Sequence, residues 1–439
     1  MILFYAGIDK RKGGTIEFPM EHPVRFRRTL WLAALILPLC LVSCASGDTG
    51  KAILWTDRPE FAFYAEYFNN SQDTYKVEVR HFESPSQKLS ESGDYPDIVA
   101  ASWIKNASTR TLFKPLDKIF SGEGLDRSSF YSRLLSLGSI DGRQYLLPVS
   151  FNIPAILFAG DFSQGPSNPF IIDMEEIKER GAAFNVESGG VYSKMGFSIS
   201  SNDEFLFIAA TLFGVGFREA SPIAWDPQAL EQTVTWLRKW IAEANTSIQA
   251  EDEFAYKYFY DPPDRLINSG RILYVYMNSA DFFTLPEERQ VNLDFRWIAA
   301  NEMIPLDEWS VYYGIHKKTK AGKAAEAFTL WFFKADTQRL LLEAGKTRRL
   351  NETIFGISGG FSAMRPVTEQ IFPHFYPGLL GHMPPETYLS PANILPRNWM
   401  VVKERIILPY LHERIRHANR DEVRSLERRI SEWYRVNNK

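Results

Sequence analysis

Short runs of β-forming residues alternate along most of this chain with segments whose apolar residues recur every three or four positions, and that alternation restricts the fold more than any other feature. Residues 52–55 (Ala, Ile, Leu, Trp) read as a buried strand. Asp57 precedes Pro59 and Glu60 at capping-box spacing, and Phe61, Tyr64, Ala65 and Phe68 then share one helical face. Val77 and Val79 alternate, and residues 97–100 and 145–149 read as further strands. The second half follows the same logic without repeating the sequence. Asp226-Pro227 opens a helix striped by Leu230, Val234, Leu237 and Ile241. Strands are expected at 271–277 and 309–315, and one long helix at 324–342. A last helix carries Val423, Leu426, Ile430 and Trp433 behind Asn419 and Glu422. Strands interleaved with helices predict an α/β architecture, and 439 residues suffice for two or three domains.

The N-terminus has a different character. Met20 begins a segment with Arg25, Arg27 and Arg28, an uncharged run over residues 30–42, and then Ser43-Cys44, the three-part plan of an export signal. Thirteen residues at about 1.5 Å each fall short of a hydrocarbon core of roughly 30 Å. Leu41-Val42-Ser43-Cys44 resembles the bacterial lipobox, which implies cleavage before Cys44, acylation of Cys44 and attachment to a membrane surface. Translation is expected to start at Met20, residues 1–43 to be leader and signal, and 44–50 a tether. Removing 1–43 leaves 44 basic against 50 acidic residues, and a body of net charge -6 suits neither nucleic acid nor anionic lipid. Cys44 becomes the sole cysteine, blocked as a thioether, so no thiol is left for disulfides or catalysis.

Enzyme signatures fail on geometry. Gly345-Lys346-Thr347 ends like a phosphate loop, but Leu340 occupies the first glycine position and a helix leads into it. His412 and His417, five apart, project about 140° from each other on a helix, which excludes a zincin pair. Gly356-Ile357-Ser358-Gly359-Gly360 satisfies G-x-S-x-G, yet Pro366 limits the helix that has to follow, and no Asp lies between Ser358 and His417 to complete a triad. No metal or cofactor is expected.

The order of segments resembles the family 1 extracellular solute-binding proteins, the maltose-binding-like receptors of bacterial ABC importers. The resemblance runs from residue 52 to the C-terminus. Ile53-Leu54-Trp55-Thr56 with its helix is similar to the family's opening strand and helix, and Tyr95-Pro96-Asp97-Ile98-Val99 to its "PDI" strand. Phe113-Lys114-Pro115-Leu116-Asp117 is similar to its "PLD" turn, and Gly142-Arg143-Gln144-Tyr145-Leu146-Leu147-Pro148 to the run entering the hinge. Asn268-Ser269-Gly270-Arg271 and Lys318-Thr319-Lys320 are similarly placed. The resemblance implies a two-lobed periplasmic-binding-protein-like fold with a hinge, an interlobe cleft and discontinuous lobes: 51–151 plus 309–360, and 155–305 plus 362–439. It departs at Asp307-Glu308, where a glycine-rich approach is usual. Positions matching the family's cleft edges are Trp55, Asp57, Trp103, Asn152, Asn202, Glu204, Asn278, Trp309, Tyr312 and Trp399. Sugar rings need aromatic platforms ringed by side chains that donate and accept hydrogen bonds, and this set has both. The implied function is a monomeric, lipid-anchored periplasmic or surface receptor without catalytic activity that delivers a sugar to an ABC permease. A lipid-anchored hydrolase, using Ser358 or a carboxylate pair, and a receptor for a non-sugar solute stay open.

Overall fold

The computed structural model describes residues 50–437 apart from 92, 162–164 and 418. The leader, the apolar run, Cys44 and all but the last residue of the tether lie outside the described residues. Four main strands come first: β1 (Lys51–Thr56), β2 (Lys76–His81), β3 (Ile98–Ala101) and β4 (Leu147–Phe151). Next are β5 (Pro154–Ala159), β6 (Ile171–Asp173), β7 (Val275–Asn278) and β8 (Leu293–Ala299), and then β9 (Val311–Ile315) and β10 (Phe361–Ser362). They form two sheets. The six-stranded sheet has the order β10-β4-β9-β3-β1-β2, and the four-stranded sheet the order β7-β5-β8-β6. β1 pairs in parallel with β2 and β3, whereas β9 runs antiparallel to both β3 and β4. Only Asn152 and Ile153 separate β4 in the first sheet from β5 in the second, and Pro154 opens β5 with φ fixed and no N–H to offer.

Period-two alternation explains how the sheets share their cores. In β5, Ala155 and Leu157 face one apolar cluster while Ile156 and Phe158 face another, so the four-stranded sheet is buried on both sides. The first cluster continues from the six-stranded sheet through Phe283, Phe295, Phe355, Phe361 and Phe372. The second is built from Phe205, Trp240, Trp399, Leu411 and Ile430 on helices. Residues 361–389 therefore pack with the first cluster and 395–430 with the second.

Local expectations met varied outcomes. The helix Glu60–Ser71 buries Phe61, Tyr64, Ala65 and Phe68 as its periodicity requires. Its N-cap is Pro59, however, without a side-chain bond, because the Asp57 carboxylate turns away to accept from Ser102 N at 3.1 Å. Asp226 does cap the helix Pro227–Ala244, accepting from Gln228 N and Ala229 N. The expected long helix at 324–342 is two, Gly322–Phe332 and Ala335–Thr347. The chain leaves helical geometry at Phe333, whose buried ring packs on Phe130 and Tyr313. The strand expected at 271–277 is confined to β7, and the final helix starts at Leu426, after a short 3-10 turn. Asp97 of the "PDI" segment explains itself: Oδ2 accepts from Ile53 N, while Oδ1 accepts from Thr319 Oγ1, Lys320 N and Ala321 N, fixing β1 to the start of the helix Gly322–Phe332.

Candidate functional site

The C-terminal ends of β1 and β3 lie side by side and carry the first half of the site. Asp57 and Arg58 follow β1; Ser102, Trp103 and Lys105 follow β3. Arg58 Nη2 donates to Ser102 Oγ at 3.0 Å and to the Trp309 carbonyl at 3.4 Å, and Ser102 Oγ donates to the same carbonyl at 3.2 Å. These bonds bring the residues just ahead of β9 onto the ends of β1 and β3. Trp103, in the left-handed region at φ 60°, meets Trp309 edge to face with ring centroids 5.3 Å apart. Trp309 stays 40% exposed, so this aromatic pair offers a ring to solvent.

The second half comes from the four-stranded sheet and the helices on it. Asn152, in the connector between the sheets, donates to the Gly359 carbonyl at 2.9 Å and accepts from Ser279 Oγ at 2.8 Å. Asn278 at the end of β7 donates to Asp307 Oδ2 at 2.9 Å, and Asp307 N donates to the Asn152 carbonyl. Glu204, in the first turn of the helix Asp203–Leu212, pairs with Lys403 at 2.7 Å, and Lys403 also contacts Glu308. Contacts elsewhere tie the two halves: Glu219 accepts from Ala107 N at 2.9 and 3.1 Å, and Arg397 donates to Ser90 Oγ at 2.7 Å.

Of the ten residues expected at the cleft, Asp57, Trp103, Asn152, Glu204, Asn278 and Trp309 converge here. Asn202 caps the helix of Glu204 by accepting from Phe205 N. Trp55, Tyr312 and Trp399, at 1%, 0% and 0% exposure, have no surface to offer a solute. Trp55 and Tyr312 belong to a small core with Leu89, Val99, Phe113 and Leu146, and the Tyr312 hydroxyl donates to the Leu134 carbonyl. Trp399 packs on Phe207 and Phe217, its Nε1 touching Glu308. Five site residues had not been anticipated: Arg58, Lys105, Asp307, Glu308 and Lys403. Asp307-Glu308 had stood out only as a departure from a glycine-rich pattern, and nothing local marks Lys403.

Ser358 of the G-x-S-x-G run lies in a tight turn at φ 53° and is 1% exposed, its Oγ without a hydrogen-bond partner. The turn is held by Tyr64 Oη on Ser358 N and Ser150 Oγ on its carbonyl. His412 and His417 pair separately with Asp203 and Glu422. Among the described residues no cluster of metal-ligating groups occurs, and no helix is long and apolar enough to cross a membrane. An open groove of about 950 Å³ lies between residues 282–295, 349–353 and 375–382. Its Glu287, Glu288, Arg349 and Glu352 are solvated, and its buried Tyr376 is already engaged by Gly356 N.

Charge in the strand-end site is tuned by burial. Desolvation raises the Asp57 carboxyl, with Arg58 opposing, and raises Glu60 likewise. Lys105, poised 4.2 Å over the Tyr312 ring, is lowered by burial to about 8. Asp307 is pushed up by burial to about 6, with the charge of Glu308 adding and Asn278 opposing. A carboxyl raised in the folded state holds its proton more tightly there. Asp307 therefore costs no stability below its ordinary 3.8, and the cost grows as pH climbs to about 6. In Asp307→Asn that slope is expected to vanish, so the variant should lose less melting temperature than the native chain between pH 4 and 7. Parallel pH profiles would contradict the assignment.

No protein-family model matches the chain, and no curated protein matches it. Solved structures do. The sugar-binding protein MalE from Xanthomonas citri superposes with a TM-score of 0.60 at 9% identity, covering 88% of this chain and 96% of that one. The fold is that of the two-lobed solute-binding proteins. A cyclo/maltodextrin-binding protein complexed with maltotetraose aligns at TM-score 0.59 and 16% identity over 88% of this chain and 98% of the other. The cyclic alpha-maltosyl-1,6-maltose binding protein from Arthrobacter globiformis gives 0.58 and 15% over 87% and 96%. All are binding proteins.

Proposed function

We propose that this chain is the substrate-binding receptor of an ABC importer, and that it captures a sugar or oligosaccharide by closure of two lobes over the strand-end site. The observation that carries the reading is the convergence of the Trp103–Trp309 pair with Asp57, Asn152, Glu204 and Asn278, contributed by both sheets at the place where the chain passes between them. Flat apolar rings match the C–H faces of pyranoses, and partly buried amides and carboxylates match their hydroxyls. The lobes are 51–151 with 309–360, and 155–305 with 362–439, with Asn152 in the hinge; the boundary at 360–362 falls at β10, whose Ser362 pairs with Ser150 of the first lobe. The receptor is a non-catalytic monomer, anchored to a membrane on the periplasmic side or at the cell surface by acylated Cys44, and it docks on a membrane permease. Solved neighbours that hold maltotriose, maltotetraose or mannotriose support the sugar class.

Calorimetric titration with malto- and manno-oligosaccharides tests the reading, with parallel assays of glycoside and ester turnover. Saturable binding without turnover is the expected outcome; turnover identifies a hydrolase. Once a ligand is found, Trp309→Ala should weaken binding by about 2 kcal/mol, roughly 30-fold, with little change in melting temperature, because the ring is already 40% exposed. Unaltered affinity removes Trp309 from the platform.

A further inference from the structure

The polar groups of the strand-end site are unevenly balanced in charge. Among the described residues, carboxylates come from Asp57, Glu60, Asp307, Glu308 and Glu204, and cations from Arg58, Lys105 and Lys403. Two of the cations are already engaged. Lys403 sits between Glu308 and Glu204 with 1% of its side chain exposed. Arg58 has Asp57 at 3.6 Å and spends Nη2 on Ser102 and the Trp309 carbonyl. Lys105 lies over the Tyr312 ring. Asp307 accepts hydrogen bonds from two neutral donors, Asn278 Nδ2 and Trp309 N, while Arg58 and Lys105 act on it only through space. Glu60 is 8% exposed, and its Oε2 has no hydrogen-bond partner. Its Oε1 and Arg58 Nη1 stand 3.6 and 3.5 Å from where a Cβ would project from Gly359, and the Gly359 carbonyl is bound by Asn152. Glu60 thus stands beside Arg58 and Gly359 at the edge of the site, while its side chain also lines a small cavity with Tyr64, Leu341, Gly356 and Tyr376.

We propose that the site is shaped for a saccharide bearing a protonated amine, an aminosugar or aminosugar oligomer, in preference to a neutral one. The inference rests on the sugar-receptor reading and narrows it. A neutral hydroxyl can donate a hydrogen bond to a buried carboxylate but does not compensate its charge, and uncompensated charge away from water is costly. An ammonium does both, as a charge-assisted donor. The exposed ring of Trp309 adds to the match, since indole faces attract cations as well as C–H groups. Phosphorylated or uronic saccharides meet repulsion from the same carboxylates.

Calorimetry at pH 7 with glucosamine trimer, its N-acetylated counterpart and maltotriose tests the proposal. The free amine is expected to bind at least tenfold more tightly than either neutral trimer. Asp307→Asn and Glu60→Gln should each compress the ratio of free-amine to N-acetyl affinity, whereas general damage to the fold would lower both affinities and leave the ratio intact. Neutral trimers binding as tightly as the free amine, or a ratio unmoved by both variants, overturns the proposal while leaving a sugar receptor. Absence of binding by all three, together with the malto- and manno-oligosaccharide panel, overturns the receptor reading and this proposal with it.

Discussion

Replacing Lys403 with methionine is expected to destabilise the protein by about 3–5 kcal/mol, the typical cost of breaking a buried ion pair from one side. Methionine preserves most of the side-chain volume, so the loss reports charge. Lys403 is 1% exposed, Glu308 is 4% exposed, and without the ammonium Glu308 is left as an uncompensated carboxylate. The Glu204 partner is 48% exposed and well screened, which places its share of the pair at roughly 0–1 kcal/mol. The Phe207 ring, 4.2 Å from Nζ, loses a cation as well. The double variant Lys403→Met with Glu308→Gln should recover most of the deficit, since the remaining amide carries no charge. Burial alone would lower the Lys403 pKa; Glu308 and Glu204 outweigh it and raise the value above 10.5. The stabilisation is therefore complete below about 10.5 and is lost as pH rises through the folded-state value. Urea denaturation followed by tryptophan fluorescence at pH 7 and across the alkaline range checks both statements. A single variant as stable as the native chain, or a double variant no better than the single, would show that Glu308 has other compensation.

The sequence carries local signals well and tertiary choices poorly, and the site exposes the difference. Apolar spacing locates the helix of Phe61, Tyr64 and Phe68 because a helical face is a property of spacing alone. A cap at Asp226 is legible for the same reason, whereas Asp57 has the right spacing but finds a better partner in Ser102, 45 residues away. The break at Phe333 carries no Gly or Pro. It follows from a ring drawn into a core assembled by Phe130 and Tyr313, which spacing does not encode. The resemblance to the solute-binding family's cleft edges, not any local pattern, selected Trp103, Asn152, Asn278 and Trp309, which the structure gathers at the strand ends. The same resemblance also selected Trp55, Tyr312 and Trp399, because a sequence shows which residues alternate but not which face another segment covers. Lys403 meets Glu308 across 95 residues of chain, and Glu60 borders the site by way of Gly359; neither has a local signature.

Truncating Trp55 separates a core role from a ligand role. Its neighbours along β1, Leu54 and Ala52, face the first apolar cluster, so parity turns Trp55 to the opposite face, where Val99, Phe113, Leu146 and Tyr312 enclose it. Phe82 lies 4.8 Å away, ring to ring. Trp55→Ala is therefore expected to cost about 3–5 kcal/mol of stability, the range for emptying a large aromatic site in a packed core. Affinity measured on the folded protein should fall far less than the roughly 30-fold expected for Trp309→Ala, since Trp55 has 1% of its surface exposed. The indole N–H adds a second discriminator. Nε1 is buried without a hydrogen-bond partner, so Trp55→Phe removes an unsatisfied donor along with part of the ring. That variant should lose markedly less stability than alanine, where a residue stacked on ligand would show its largest change in affinity. Thermal melts and calorimetric titration of Trp55→Ala, Trp55→Phe and Trp309→Ala resolve the matter together. If Trp55→Ala melts like the native chain and binds ligand weakly, Trp55 faces the cleft, and the covering of that side of β1 by Phe82 and Leu89 is not the arrangement in solution.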